Sequence, residues 1–96
     1  MGAESESAGR NHVAWVAIGL TGEYTAPETL TAPVLDLYGE RDFEPVLDRA
    51  ARRAAAIRGT RGSAQVQVAG ADHFFAGMEH ELVRQVGRFL DARLKQ

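Results

Sequence analysis

Two short motifs most constrain how this chain can fold: Gly-Glu-Arg-Asp at residues 39–42 and Gly-Ala-Asp-His at residues 70–73. Each follows an apolar run typical of a strand, and an alanine-rich stretch with helical spacing lies between them. Strand, helix and strand in this order favour a parallel pair joined by a right-handed crossover. Both motifs then lie at the same end of one sheet, which brings the carboxylate of Asp42 towards the imidazole of His73.

The periodicity of the whole chain predicts an α/β fold. Apolar runs and alternation indicate three strands, at residues 12–20, 33–38 and 64–69. The first resembles a buried strand, whereas the third is expected to be a half-solvated edge strand. Apolar positions at helical spacing predict two main helices, over about residues 44–58 and from Met78 to the chain end. The prediction is a three-stranded parallel sheet with two main helices.

Length and composition indicate a single domain. The chain has 96 residues, of which 45% are hydrophobic and 25% charged, as in one small globular unit. Residues 1–10 are acidic and serine-rich and are expected to be a disordered tail. The single α/β domain is predicted to span residues 11–96. A domain of this size buries only about 60% of its unfolded surface, so association with another chain is expected to add stability.

Composition also excludes several function classes. The formal charge is −2 and the arginines are scattered, so nucleic acid is not an expected partner. Without cysteine there are no disulfides or thiolate metal sites. The longest apolar run, at residues 13–20, is far shorter than the roughly 20 residues that cross a bilayer. The first ten residues lack the basic start and apolar core of a secretory signal, so a cytoplasmic location is expected.

Asp42 and His73 are the candidate catalytic residues. A carboxylate bonded to one imidazole nitrogen fixes the tautomer and leaves the other nitrogen free to accept a proton. Each residue also has a structural interpretation. Asp42 lies where an N-cap of the following helix would lie, and His73, which precedes two phenylalanines, could be a half-buried histidine bonded to a loop carbonyl.

Other polar residues favour structural interpretations. The acidic and histidine residues near His73 lack metal-ligand spacing and suit a solvated first turn of a helix; these are Asp72, Glu79, His80 and Glu81. No metal and no cofactor is expected. Asp36 lies within an apolar strand, where it would face solvent or pair with an arginine such as Arg49 or Arg53.

The ordered motifs resemble a known family. A strand led by Pro33, a Gly-x-x-Asp turn, a helix, a strand ending in Gly-x-x-His and a final helix together are similar to the C-terminal portion of an α/β-hydrolase. The resemblance covers residues 12–94, yet only the last third of a complete family member. It implies a fold equivalent to the last three hydrolase strands, with the two helices on opposite faces of the sheet. It also implies that Asp42 is the acid and His73 the base of a catalytic triad.

A nucleophile is missing from this pattern. The family requires a Gly-x-Ser-x-Gly elbow between a strand and a helix. Only the segment around Ser7 has a similar spacing of small residues, and no strand is predicted before it and no helix directly after it. Ser63 precedes the third strand, at the wrong end of the sheet. The expected function is therefore that of an esterase-like acyl hydrolase fragment, inactive alone. The alternative is a non-catalytic dimerising or protein-interaction module that retains the triad positions.

The first strand bears on the partners of this chain. Residues 12–20 are apolar on both faces, as in the middle of a sheet, but the outer edge of this strand has no partner in the predicted fold. Such an edge invites pairing with another chain. The sequence therefore predicts either a homodimer or a complex with a missing N-terminal hydrolase half, formed through the edge of strand 12–20.

Overall fold

The computed structural model describes residues 13–94. In chain order its elements are β1 (Trp15–Ile18), a short 3-10 helix (Pro27–Thr29), β2 (Val34–Arg41), α1 (Glu44–Asp48), α2 (Ala50–Ile57), β3 (Ala64–Asp72) and α3 (Glu79–Leu94). The predicted tail at residues 1–10 lies outside the described residues.

The three strands form one parallel sheet in the order β1-β2-β3. β2 is the central strand: Trp15 lies opposite Val34 on one side, and Leu35 lies opposite Ala64 on the other. The helical crossover between β2 and β3 keeps these strands parallel. The predicted α/β class and three-stranded parallel sheet are confirmed.

The side chains of β2 divide the core into two layers. Leu35 and Leu37 join a cluster with Phe89 of α3 on one face. Tyr38 packs with Val46 and Ala50, of α1 and α2, on the other face. Because successive strand residues point to opposite faces, the helices before and after β3 cover opposite sides of the sheet. This arrangement agrees with the predicted placement of the helices.

α3 follows the amphipathic pattern of the sequence. Met78, Leu82, Val86 and Leu90 pack against the cluster that surrounds Phe89. The apolar stripe at helical spacing buries this face of the helix against β2 and β3.

Among residues 13–94, none of the helices has the length and apolar character of a membrane-spanning segment.

A buried ion pair connects α2 to β2. Arg53 and Asp36 are both almost fully buried, and Nε of Arg53 lies 3.0 Å from each carboxylate oxygen of Asp36. Gln65 and the Tyr24 hydroxyl also donate to this carboxylate, at 2.8 Å and 2.9 Å. The pKa of the Tyr24 hydroxyl is raised, mainly by burial and to a smaller extent by the hydrogen bond to Asp36. Of the two roles predicted for Asp36, pairing with an arginine is the one observed.

The prediction of one helix over residues 44–58 is wrong in detail. Arg49, with φ −104° and ψ 4°, separates α1 from α2. The side chains that face the sheet keep helical spacing across this break; they are Val46, Ala50, Arg53 and Ile57. A periodicity that continues through the break contains no signal for it.

The first strand differs most from its prediction. β1 has only four residues, whereas a buried strand was expected over residues 12–20. Its position at one edge of the sheet agrees with the prediction that its outer edge has no partner strand. Trp15 is 59% exposed and Ile18 is 45% exposed. The strand is apolar on both faces, as predicted, but β2 is its only neighbouring strand among residues 13–94, which leaves these side chains uncovered. His12 lies outside the described residues.

We expect Arg53→Met to lower the free energy of unfolding by about 3–5 kcal/mol, because it leaves the buried Asp36 carboxylate without its charged partner. Arg52→Met is the matched control. Arg52 lies 3.1 Å from Glu23 with a side chain that is 74% exposed, and loss of such a pair costs about 1 kcal/mol or less. Urea denaturation of both variants measures the difference. Equal losses would contradict the importance of the buried pair.

Candidate functional site

The turn after β2 holds Asp42. Its carboxylate accepts hydrogen bonds from the backbone N–H of Gly39 at 3.1 Å and of Phe43 at 2.8 Å. The Asp42 amide donates back to the Gly39 carbonyl at 3.1 Å, and the Asp42 side chain is fully buried. These bonds fix the position of the carboxylate.

The interpretation of Asp42 as an N-cap is wrong. The N-cap of α1 is Phe43, and no side chain caps this helix end. The Asp42 carboxylate is engaged by the turn and by His73 instead, so it does not bond to the second or third amide of α1 as a cap would.

His73 follows β3 and meets Asp42. Nδ1 of His73 lies 2.7 Å from Oδ1 of Asp42. Since a carboxylate accepts hydrogen bonds, Nδ1 carries the hydrogen of the neutral imidazole, and in this tautomer the lone pair lies on Nε2. No described residue forms a hydrogen bond with Nε2, and the His73 side chain is 23% exposed. The structure thus brings together the two residues that the sequence predicted, and His73 bonds to a carboxylate and not to a loop carbonyl.

The close approach of the two strand ends depends on Gly39. A Cβ at this position would overlap the backbone carbonyl of Ala71. The regular pairing of β2 with β3 shifts here, so that Arg41 lies opposite Asp72. Glycine is therefore required for the turn that carries Asp42 to lie against the end of β3.

Two aromatic rings surround the imidazole. Phe43 stacks on the His73 ring, with centroids 4.3 Å apart and an angle of 19° between the planes. Phe74 meets the same ring edge-on at 5.1 Å. Despite these contacts, Phe43 and Phe74 are 48% and 74% exposed. No sequence pattern assigns either ring to the site, although each directly follows a candidate catalytic residue.

Gly19 contributes a third contact to His73. This residue follows β1 and has φ +65°, and a Cβ built on it would lie 2.8 Å from Cε1 and 2.9 Å from Nδ1 of His73. Its amide donates to the Leu37 carbonyl at 2.8 Å, which anchors it to β2. No sequence pattern predicts this contact, since one glycine after an apolar run gives no indication of what lies against it.

The acidic residues near His73 have other contacts. The Asp72 carboxylate accepts hydrogen bonds from the amides of Phe74 at 2.9 Å and Ala76 at 3.1 Å, so it braces the loop after β3. Within the described residues no group of three or more histidine, cysteine, aspartate or glutamate side chains could hold a metal ion.

The structure places Ser63 away from this site. Ser63 immediately precedes β3, and its hydroxyl accepts a hydrogen bond from the Val34 amide at 2.9 Å. His73 follows the opposite end of the same strand. Ser63 is the only serine between residues 13 and 94, and Ser7 lies outside the described residues. The described site therefore contains an imidazole bonded to a buried carboxylate, and Ser63 does not lie beside it.

We expect Gly19→Ala to disturb the bond between His73 and Asp42, because the added methyl group would overlap the imidazole. The positive φ would cost about a further 1–2 kcal/mol. The low-field proton resonance of the His73 Nδ1–H group should be present in the parent protein and lost in the variant. Gly22→Ala is the control, since a Cβ there meets nothing within 4 Å. A resonance unchanged in Gly19→Ala would contradict the contact.

Comparisons of the chain with protein-family models, with curated proteins and with solved structures found no match.

Proposed function

We propose that this chain is the acid–base part of an acyl-hydrolase site of the serine-hydrolase type. Asp42 is the orienting acid and His73 is the general base. The observation that carries the proposal is the 2.7 Å hydrogen bond from Nδ1 of His73 to a buried, doubly anchored carboxylate. The motifs that place these two residues are also those that resemble the C-terminal portion of an α/β-hydrolase.

The chemistry follows from the two imidazole nitrogens. Nε2 of His73 takes the proton of a hydroxyl nucleophile while the hydroxyl oxygen bonds to the acyl carbon. Nε2 then donates this proton to the leaving group. Asp42, bonded to Nδ1, stabilises the imidazolium that forms between these steps. The backbone amides of Gly39 and Phe43 keep the carboxylate in place throughout.

Other features support an incomplete site. Cavities of about 550 Å³ and 390 Å³ lie between β3 and α3 and beside β1, and neither is lined by Asp42 or His73. The exposed rings of Phe43 and Phe74 flank the imidazole without an enclosing wall. In this proposal the hydroxyl nucleophile and the walls of the acyl pocket come from outside residues 13–94, and the chain alone is nearly inactive.

The exposed apolar side chains of β1 favour a second candidate function. In this alternative the chain is a non-catalytic dimerising or protein-interaction module, and the Asp42–His73 pair only stabilises the contact between two loops. The two functions differ in the reactivity of His73, because a structural imidazole would hydrolyse an activated ester no faster than an exposed histidine such as His80.

Hydrolysis of p-nitrophenyl acetate tests the proposal, since water or Nε2 itself can attack this activated ester. We expect weak hydrolysis by the parent protein and a loss of at least about tenfold in His73→Ala and Asp42→Asn, because general-base assistance is worth about 10²–10⁴-fold in rate. His80→Ala is the matched control, as His80 is exposed on the first turn of α3 and distant in sequence from Asp42.

A fluorophosphonate probe, read by intact mass, completes this test. We expect no adduct on the parent chain. A stoichiometric adduct that His73→Ala abolishes would show a nucleophile within the chain. Equal ester hydrolysis by the parent protein and His73→Ala would contradict the proposed role of His73 and favour the interaction module.

A further inference from the structure

The free edge of β1 exposes unpaired backbone groups. The amides of Trp15 and Gly19 point towards β2, to the carbonyls of Pro33 and Leu37 at 2.9 Å and 2.8 Å. Because hydrogen-bonding direction alternates along a strand, the N–H and C=O groups of Val16 and Ile18 point away from the sheet. Among the described residues, β2 is the only strand that pairs with β1.

This edge lacks the features that usually prevent pairing between sheets. Residues 13–20 contain no charged residue and no proline, whereas natural edge strands commonly carry lysine, proline or a bulge. Three large apolar side chains are exposed along it: Val13 at 41%, Trp15 at 59% and Ile18 at 45%. Backbone pairing here would therefore bury apolar surface without burying a charge.

The opposite edge of the sheet is different. Along β3 the exposed residues include Gln67, Ala69 and Gly70, and the Gly70 amide already donates to the carboxylate of Glu40 at 2.8 Å. Gly70 also has φ +78°, which interrupts the regular strand. The partner that best matches the edge of β1 is thus another β1, not β3.

We propose that β1 pairs with β1 of a second copy, antiparallel and about a two-fold axis, to form one sheet through both protomers. Antiparallel pairing of identical strands is self-complementary, so it closes as a dimer. The small net charge of −2 gives little repulsion between copies. This inference is independent of the proposed function, although Gly19 places the end of the paired strand directly against His73.

Sedimentation equilibrium of the full chain, from low to high micromolar concentration, tests the dimer. We expect the mass to rise from one chain to two and then to stop. Trp15 is the only tryptophan, so its emission should shift to shorter wavelength in step with the mass. A single-chain mass at every concentration would overturn the proposal, and growth beyond two chains would overturn the two-fold arrangement.

Two variants locate the interface. Ile18→Pro removes one backbone N–H that points away from β2 and leaves the amides of Trp15 and Gly19 bonded to β2. Trp15→Lys adds a positive charge to the edge strand. Each should weaken association by at least about tenfold, the equivalent of roughly 1.4 kcal/mol. Val83→Lys, at a 69% exposed position on α3, is the control. Circular dichroism verifies folding, and dimers unaffected by either β1 variant would overturn the assignment.

Discussion

The structure depends on the close contact between the carboxyl end of β2 and the end of β3. Gly39 lies against the backbone of Ala71 with no space for a side chain. This contact sets the distance between the turn that holds Asp42 and the loop that begins at His73. A parallel sheet brings such loops to one edge, but only a glycine at this position lets them meet at hydrogen-bonding distance.

Two aspartates close together in sequence illustrate how surroundings determine the role of a carboxylate. Asp36 is held by the guanidinium of Arg53 and by neutral donors, so its charge is balanced within the core. Asp42 is held by two backbone amides and by His73, and no guanidinium from residues 13–94 bonds to it. Among the described residues, the one side chain that bonds to Asp42 is therefore an imidazole, a group that can gain or lose a proton.

The sequence predicted the parts of the fold that local patterns determine. The strand-end motifs correctly placed Asp42 and His73 together, and the apolar spacing of α3 matched its buried face. The break at Arg49 was missed because apolar spacing continues through it. The unpartnered edge of β1 was predicted, but its shortness and its exposed side chains were not. An apolar run shows that a segment can be buried, not that the described residues cover it. The contact of Gly19 with His73 joins residues far apart in sequence, which no local pattern encodes.

The loop that carries His73 is already ordered within this chain. The Asp72 carboxylate accepts hydrogen bonds from two backbone amides of that loop. Phe75 anchors the loop through a side chain that is only 1% exposed, and its φ is +54°. Buried packing holds a backbone conformation that is otherwise unfavourable for a non-glycine residue. If a second polypeptide completes the site, the conformational entropy lost on assembly falls mainly on that incoming segment. In the proposed function, the imidazole is thus held in position before the segment that supplies the nucleophile binds.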